Sequence, residues 1–283
     1  MRTGFLTLLD GGDLHYYDVT PDDSDLFPVI YHHGSPNVGE PPAPLYEAAA
    51  ERGLRWIGYD RPGYGGSTPQ PGRTVGHAAF DAEAVADVLG LEKFAVLGHS
   101  GGGAHALACA ALAPERVIAA VSISGLAPYG SPGLDYFAGI NPGGEAELRA
   151  ATQGADALEA HLQNSEFDPT MFVDEDWEAL NGTWSWFNGI VGRAEASGPG
   201  PFIDDDVATV SPWGFDPASI ERPTLIMHGT ADRVVPIQHA RWLAHAIHGA
   251  NLLEVEGAGH ISVLRRANEA LDWIAAQASG IRD

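Results

Sequence analysis

The chain is 283 residues long and carries 38 acidic against 15 basic residues, for a formal net charge of −23. Its length suits one large domain with room for an insertion, and 45% hydrophobic with 19% charged residues excludes disordered and fibrous classes. So acidic a surface excludes nucleic acid and anionic membrane as natural partners and favours solubility.

Strand patterns come first. Phe5 to Leu9 and Leu14 to Val19 flank Asp10-Gly11-Gly12-Asp13, a turn signal suited to a hairpin. Apolar strand runs then alternate with helical patterns. Pro28 to Tyr31 precedes a predicted helix at Pro44 to Arg52, and Arg55 to Tyr59 precedes one at Val75 to Leu89. Phe94 to Leu97 precedes a helix at Gly102 to Leu112, and Val117 to Ile123 follows as a strand. This rhythm predicts an α/β fold with a parallel sheet and helices on both faces.

The rhythm breaks after Ala127. Residues 128–216 are rich in Gly and Pro, with short helical patterns at Ala155 to Leu162 and Asp174 to Asn181. The segment holds Trp177, Trp184, Trp186 and Trp213, and its basic residues are only Arg149 and Arg193. Alternation resumes with a strand at Pro223 to Met227, a helix at Ile237 to Ile247, a strand at Leu252 to Val255 and a closing helix at Ile261 to Ala276. The division expected is a core of residues 1–127 and 217–283 with a helical cap at 128–216. Cys109, the single cysteine, excludes an intrachain disulfide and reads as a buried core residue. The start MRTGFLTLLDGGD lacks the basic and apolar regions of a signal peptide, and no run nears the roughly 18 apolar residues of a membrane span. The expectation is a cytoplasmic protein.

Chemistry concentrates at strand ends. Gly98-His99-Ser100-Gly101-Gly102 follows a strand and opens a helix, the context of a nucleophile elbow. A serine hydroxyl needs a base to take its proton, and the base an orienting carboxylate. Asp232 follows the strand ending at Met227, and His260 follows the strand ending at Val255. Both lie at the C-terminal edge, where parallel sheets place their sites, in the order Ser100, Asp232, His260. In His33-Gly34-Ser35-Pro36 the Ser35 backbone N–H is the candidate partner of that of Gly101 in an oxyanion hole. Adjacent His32 and His33 point to opposite sides of an extended chain, so no metal site is expected; His33 is read as holding its loop by hydrogen bonds. Asp204-Asp205-Asp206 lacks calcium-loop spacing and reads as a solvated turn or helix start.

With Tyr59-Asp60-Arg61-Pro62-Gly63-Tyr64-Gly65-Gly66-Ser67, these motifs resemble the α/β-hydrolase fold superfamily, in its capped esterase, cofactor-free haloperoxidase and epoxide-hydrolase-like branch. The resemblance spans about residues 3–125 and 217–280. It implies an eight-stranded, mostly parallel sheet with a cap after the sixth strand, and no cofactor. Ser100 stands where dehalogenases and epoxide hydrolases of the branch carry aspartate, which argues against both chemistries. Arg61 is expected to be ion-paired rather than catalytic, and His99 to pack beneath the elbow.

The activity expected is esterase or lactonase, with Ser100 as nucleophile, His260 as base, Asp232 orienting it, and a small-molecule substrate. A proline-iminopeptidase-like aminopeptidase, a carbon–carbon hydrolase or lyase, and a non-enzymatic ligand receptor are alternatives on the same scaffold. Pro36, Trp184, Trp186 and Phe187 are candidates to line the pocket, the three aromatic residues having cap core as their other reading. The insertion is expected to contribute nothing that Ser100, Asp232 and His260 need. The sequence does not indicate an oligomeric state.

Overall fold

The computed structural model describes residues 1–23 and 25–282. Eight strands form one sheet: β1 (Arg2–Thr7), β2 (Asp13–Asp18), β3 (Phe27–His32), β4 (Leu54–Tyr59), β5 (Phe94–His99), β6 (Val117–Ile123), β7 (Thr224–Gly229) and β8 (Asn251–Val255). Their order is β1-β2-β4-β3-β5-β6-β7-β8. The β1–β2 hairpin joins β4 antiparallel, and every other neighbouring pair is parallel.

Strands β3 to β7 read as nearly unbroken apolar runs because helices cover both of their faces. Residues alternate between the two sides. Val29, Tyr31, Leu97, Val121, Ile123 and Met227 pack with α1 (Tyr46–Glu51) and α10 (Ala267–Arg282). Ile30, Ile57, Val96, Ala120 and Ile226 pack on the other face, against α2 (His77–Val88), α3 (Gly101–Leu112) and α9 (Gln238–Ala246). Cys109 is fully buried in this second layer, as the sequence indicates.

Between β6 and β7 lie five helices: α4 (Pro142–Ala151), α5 (Ala155–Leu162), α6 (Asp174–Leu180), α7 (Trp186–Glu195) and α8 (Gly200–Val210). Among the described residues, no helix is long and apolar enough to cross a membrane. The insertion has a core of its own around Phe137, Ile140, Leu148, Leu158 and Ile203, joined by Leu126 and Val235 from the sheet side. Trp184 and Phe187 are buried in the core layer that continues onto the sheet. Trp186 is half-buried and packs against Phe187 at 5.0 Å between ring centroids.

The triple-aspartate run is not a solvated turn. It lies inside α8, where Asp205 and Asp206 are both buried and Asp205 is 2% exposed. A buried carboxylate needs compensating charge, and Asp205 has two cations. Arg61 reaches Oδ2 at 2.5 Å through Nη2 and Oδ1 at 3.2 Å through Nε, and Arg73 reaches Oδ1 at 2.8 Å. The Tyr64 hydroxyl donates to Oδ2 at 3.0 Å, and the Ser35 hydroxyl donates to the same oxygen. Burial works against the charge on Asp205, but the two guanidinium groups outweigh it and hold the carboxyl well below its usual range. Arg61 is ion-paired, as the sequence reading has it.

Removing Asp205 leaves two buried guanidinium groups without a carboxylate. Asp205→Ala is expected to cost about 3–5 kcal/mol of stability, the usual penalty for breaking a buried pair. Urea unfolding measures it; a loss below about 1 kcal/mol, the range of a surface pair, would contradict this account of the cluster.

Candidate active site

Ser100 stands between β5 and α3 with φ 57° and ψ −130°, a conformation that side-chain-bearing residues rarely adopt. Its neighbours permit it. A Cβ on Gly98 would collide with the Gly102 backbone, and one on Gly102 with the carbonyl of His32. Strand and helix can therefore cross only with glycine at both positions. The turn leaves Ser100 half-exposed at the carboxyl edge of the sheet.

Asp232 and His260 reach this edge from the loops after β7 and β8. His260 Nε2 lies 2.9 Å from Ser100 Oγ, and His260 Nδ1 lies 2.8 Å from Asp232 Oδ2. With Nδ1–H directed at the carboxylate, Nε2 is the nitrogen free to accept the serine proton. Asp232 is itself fixed, its Oδ1 accepting the N–H groups of Val234 and Val235 at 2.9 Å each. Burial disfavours charge on His260, but Asp232, by its charge and its hydrogen bond, and Asp176 more than offset it, so its pKa lies above the ordinary imidazole value. Asp232 is likewise held below the usual carboxylate range, its partner His260 overcoming burial.

His99 packs beneath the elbow, 5.1 Å from the His260 ring and 5.7 Å from Phe187 between centroids. Its Nε2–H donates to the His260 carbonyl at 3.0 Å. Burial, reinforced by His260, pushes its pKa down to about 3, so it stays neutral and adds no positive charge beside His260.

The opposite wall is the turn at Gly34. A Cβ there would sit 3.2 Å from Ser100 Cβ, so this loop approaches the serine closely because residue 34 is glycine. Ser35 N lies 3.9 Å from where a Cβ on Gly101 would stand, which brings the two N–H-bearing residues side by side. Gly101 opens α3, and its N–H has no acceptor within the helix. His33 holds the loop from within. Its Nδ1–H donates to Gly34 O at 2.7 Å, and its Nε2 accepts the Arg61 N–H at 3.1 Å. Arg61 adds bonds from Nη1 to the His33 carbonyl and from Nη2 to Gly34 O at 3.1 Å and Ser35 Oγ at 3.0 Å. His32 faces elsewhere, toward Tyr59 and Cys109.

All five residues expected from the motifs, Ser35, Ser100, Gly101, Asp232 and His260, thus converge at one edge. Pro36 is half-buried beside them in the chain. Trp184, at 3% exposed, and Phe187 belong to the shared core, and Phe187 reaches the site through His99. Sequence reasoning missed Asp205, whose bonds to Arg61 and Ser35 tie the insertion to the Ser35 loop. Three aspartates in a row signal solvent, and only their helical placement shows that Asp205 and Asp206 turn inward.

Residues 28–267 match the α/β-hydrolase fold family. A non-heme chloroperoxidase of Streptomyces lividans is 30% identical over 270 residues, covering 91% of this chain and 92% of that one. A bifunctional esterase/perhydrolase of Acinetobacter calcoaceticus is 29% identical over 277 residues, with the same coverage of 91% and 92%. The enol-lactonase from Burkholderia xenovorans LB400 shares the fold, with a TM-score of 0.72 at 22% identity over 98% of this chain and 100% of that one. The chain belongs to the α/β-hydrolase fold family.

Proposed function

We propose that this protein is a serine hydrolase that cleaves a carboxylic ester or lactone through an acyl-enzyme. The observation that carries the reading is the continuous chain from Ser100 Oγ through His260 to Asp232, 2.9 and 2.8 Å per link, mounted on a strained elbow.

In this mechanism His260 Nε2 removes the proton as Ser100 Oγ attacks the carbonyl carbon. Asp232 keeps the ring in the tautomer that leaves Nε2 basic and stabilises the imidazolium that forms. The backbone N–H groups of Ser35 and Gly101 take up the developing oxyanion, aided by the positive end of α3. The imidazolium then protonates the leaving alcohol, and water activated by the same His260 releases the acid. The enol-lactonase likeness and the esterase named among the relatives support this bond class.

A second reading uses the same intermediate. The esterase/perhydrolase relative favours hydrogen peroxide as an alternative acceptor, giving a peracid from the acyl-enzyme. A receptor without turnover is disfavoured because such a protein needs no base aligned on a serine.

Two outcomes test the reading. Ser100→Ala is expected to lower turnover of any ester or lactone that the wild type cleaves by on the order of 10³-fold or more, with the fold retained. A variant that keeps most of its activity contradicts it. Because His260 must be neutral to accept a proton and its pKa is raised, kcat/KM is expected to climb with pH on an acid limb whose midpoint lies above about 6.5, the ordinary imidazole value. A rate that is flat there, or a midpoint below that value, counts against His260 as the base.

A further inference from the structure

Asp176 lies in α6 of the insertion, is fully buried, and directs both carboxylate oxygens at the backbone that carries His260. Oδ2 accepts the His260 N–H at 3.1 Å and the Val173 N–H at 3.3 Å. Oδ1 accepts the N–H groups of Ile261 at 2.9 Å and Ser262 at 2.7 Å, and the Ser262 hydroxyl at 2.8 Å. Ser262 Oγ in turn accepts the Gly259 N–H at 2.7 Å. A Cβ at residue 259 would collide with Asp176 Oδ2, so glycine there is what admits the carboxylate.

The consequence for His260 is geometric. Its N–H is held by Asp176 and its carbonyl by His99 Nε2, so both polar groups of its backbone are fixed from different elements. Only the side-chain torsions remain, and those are set by Asp232 and Ser100. A displacement of about 1 Å in a catalytic group can cost on the order of 10²-fold in rate, so a fixed backbone at this residue has kinetic value.

We propose that Asp176 is a positioning residue for His260, an insertion carboxylate that seats the backbone of the general base and adds a second negative charge on its side of the site. The proposal rests on the reading of His260 as that base. The charged and titratable groups facing His260 are Asp232 and His228 from β7 and its loop, His99 from the end of β5, and Asp176 from α6. His99 and His228 are driven toward neutrality by burial. Asp176 and Asp232 are therefore the two anionic influences.

Asp176→Asn is the decisive variant. It keeps the side-chain volume, removes the charge, and turns an amide donor toward the His260 and Val173 N–H groups. Turnover of a small activated ester is expected to fall on the order of 10- to 100-fold in kcat, with KM changed less than about threefold. The acid limb of kcat/KM, and the His260 imidazole titration followed by NMR without substrate, are expected to move to lower pH. Wild-type kcat with an unmoved titration overturns the proposal. A fall in kcat with the titration unmoved makes Asp176 a packing anchor and overturns it equally. If Asp176→Asn does not fold, Ser262→Ala decides. It removes one bond to Asp176 and the Gly259 anchor but leaves the charge, so a several-fold loss in kcat is expected with the titration in place, and wild-type kcat there overturns the proposal. The NMR titration needs no turnover, so a wild-type chain inert toward every ester and lactone counts against the functional reading alone.

Discussion

Ser100 is held in a backbone conformation that only its surroundings make tolerable. At φ 57° and ψ −130° it stores strain of order 1–3 kcal/mol, and the crossing of β5 with α3 closes around it because Gly98 and Gly102 have no side chains. The rest of the site depends on this turn. It lifts the hydroxyl off the sheet edge to within reach of His260, frees the N–H of Gly101 at the start of a helix, and brings Gly34 against Ser100 Cβ so that Ser35 lies beside Gly101. The elbow fixes one point, and the loops after β3, β7 and β8 must be brought to it.

The insertion reaches all three of those loops. Asp205 in α8 bonds to Ser35 and to Arg61, which in turn bonds to His33, Gly34 and Ser35. Asn141, at the start of α4, binds the Arg233 carbonyl through its backbone N–H at 2.8 Å and through Nδ2 at 3.2 Å, next to Asp232. Asp176 in α6 takes the N–H groups of His260, Ile261 and Ser262. These contacts are polar and directional, unlike the apolar packing of Trp184 and Phe187. The sequence reading assigns the insertion no residue that Ser100, Asp232 and His260 need, yet the insertion hydrogen-bonds the loops that carry Ser35, Asp232 and His260. A segment that excludes water and shapes a pocket can also fix the loops beneath it, because a buried carboxylate is stable only where several donors converge.

The sheet and the elbow were legible because their physics is local. Doubly covered parallel strands are apolar almost throughout, which marks Val117–Ile123 and its neighbours, and a strained strand–helix turn must be flanked by glycine. Asp232 and His260 were singled out by the serine's need for a base and a carboxylate, by their places past strand ends and by the chain order Ser, Asp, His. In the insertion, α5 and α6 were legible as helical patterns, whereas α4, α7 and α8 were not. Asn141-Pro142-Gly143-Gly144 reads as a turn, yet Asn141 Oδ1 accepts the Gly144 N–H at 3.0 Å and starts α4. Gly200 and Pro201 hide the start of α8 in the same way. The closing helix begins at Ala267 rather than Ile261, because residues 262–266 form a 3-10 turn after a segment whose N–H groups bond to Asp176. Partners more than eighty residues away set that boundary. Asp176 and Asp205 were invisible as site residues for the same reason: nothing in their own neighbourhoods marks them, and their donors come from other elements.

The claim that Ser100 is a nucleophile activated by His260 is tested most directly by covalent labelling. Intact-mass measurement after exposure to a fluorophosphonate, followed by peptide mapping, is expected to show one adduct per chain, located at Ser100. That adduct should be lost when His260 is replaced by alanine in a folded variant. An adduct on a different residue, no adduct at all, or labelling indifferent to His260 would contradict the account.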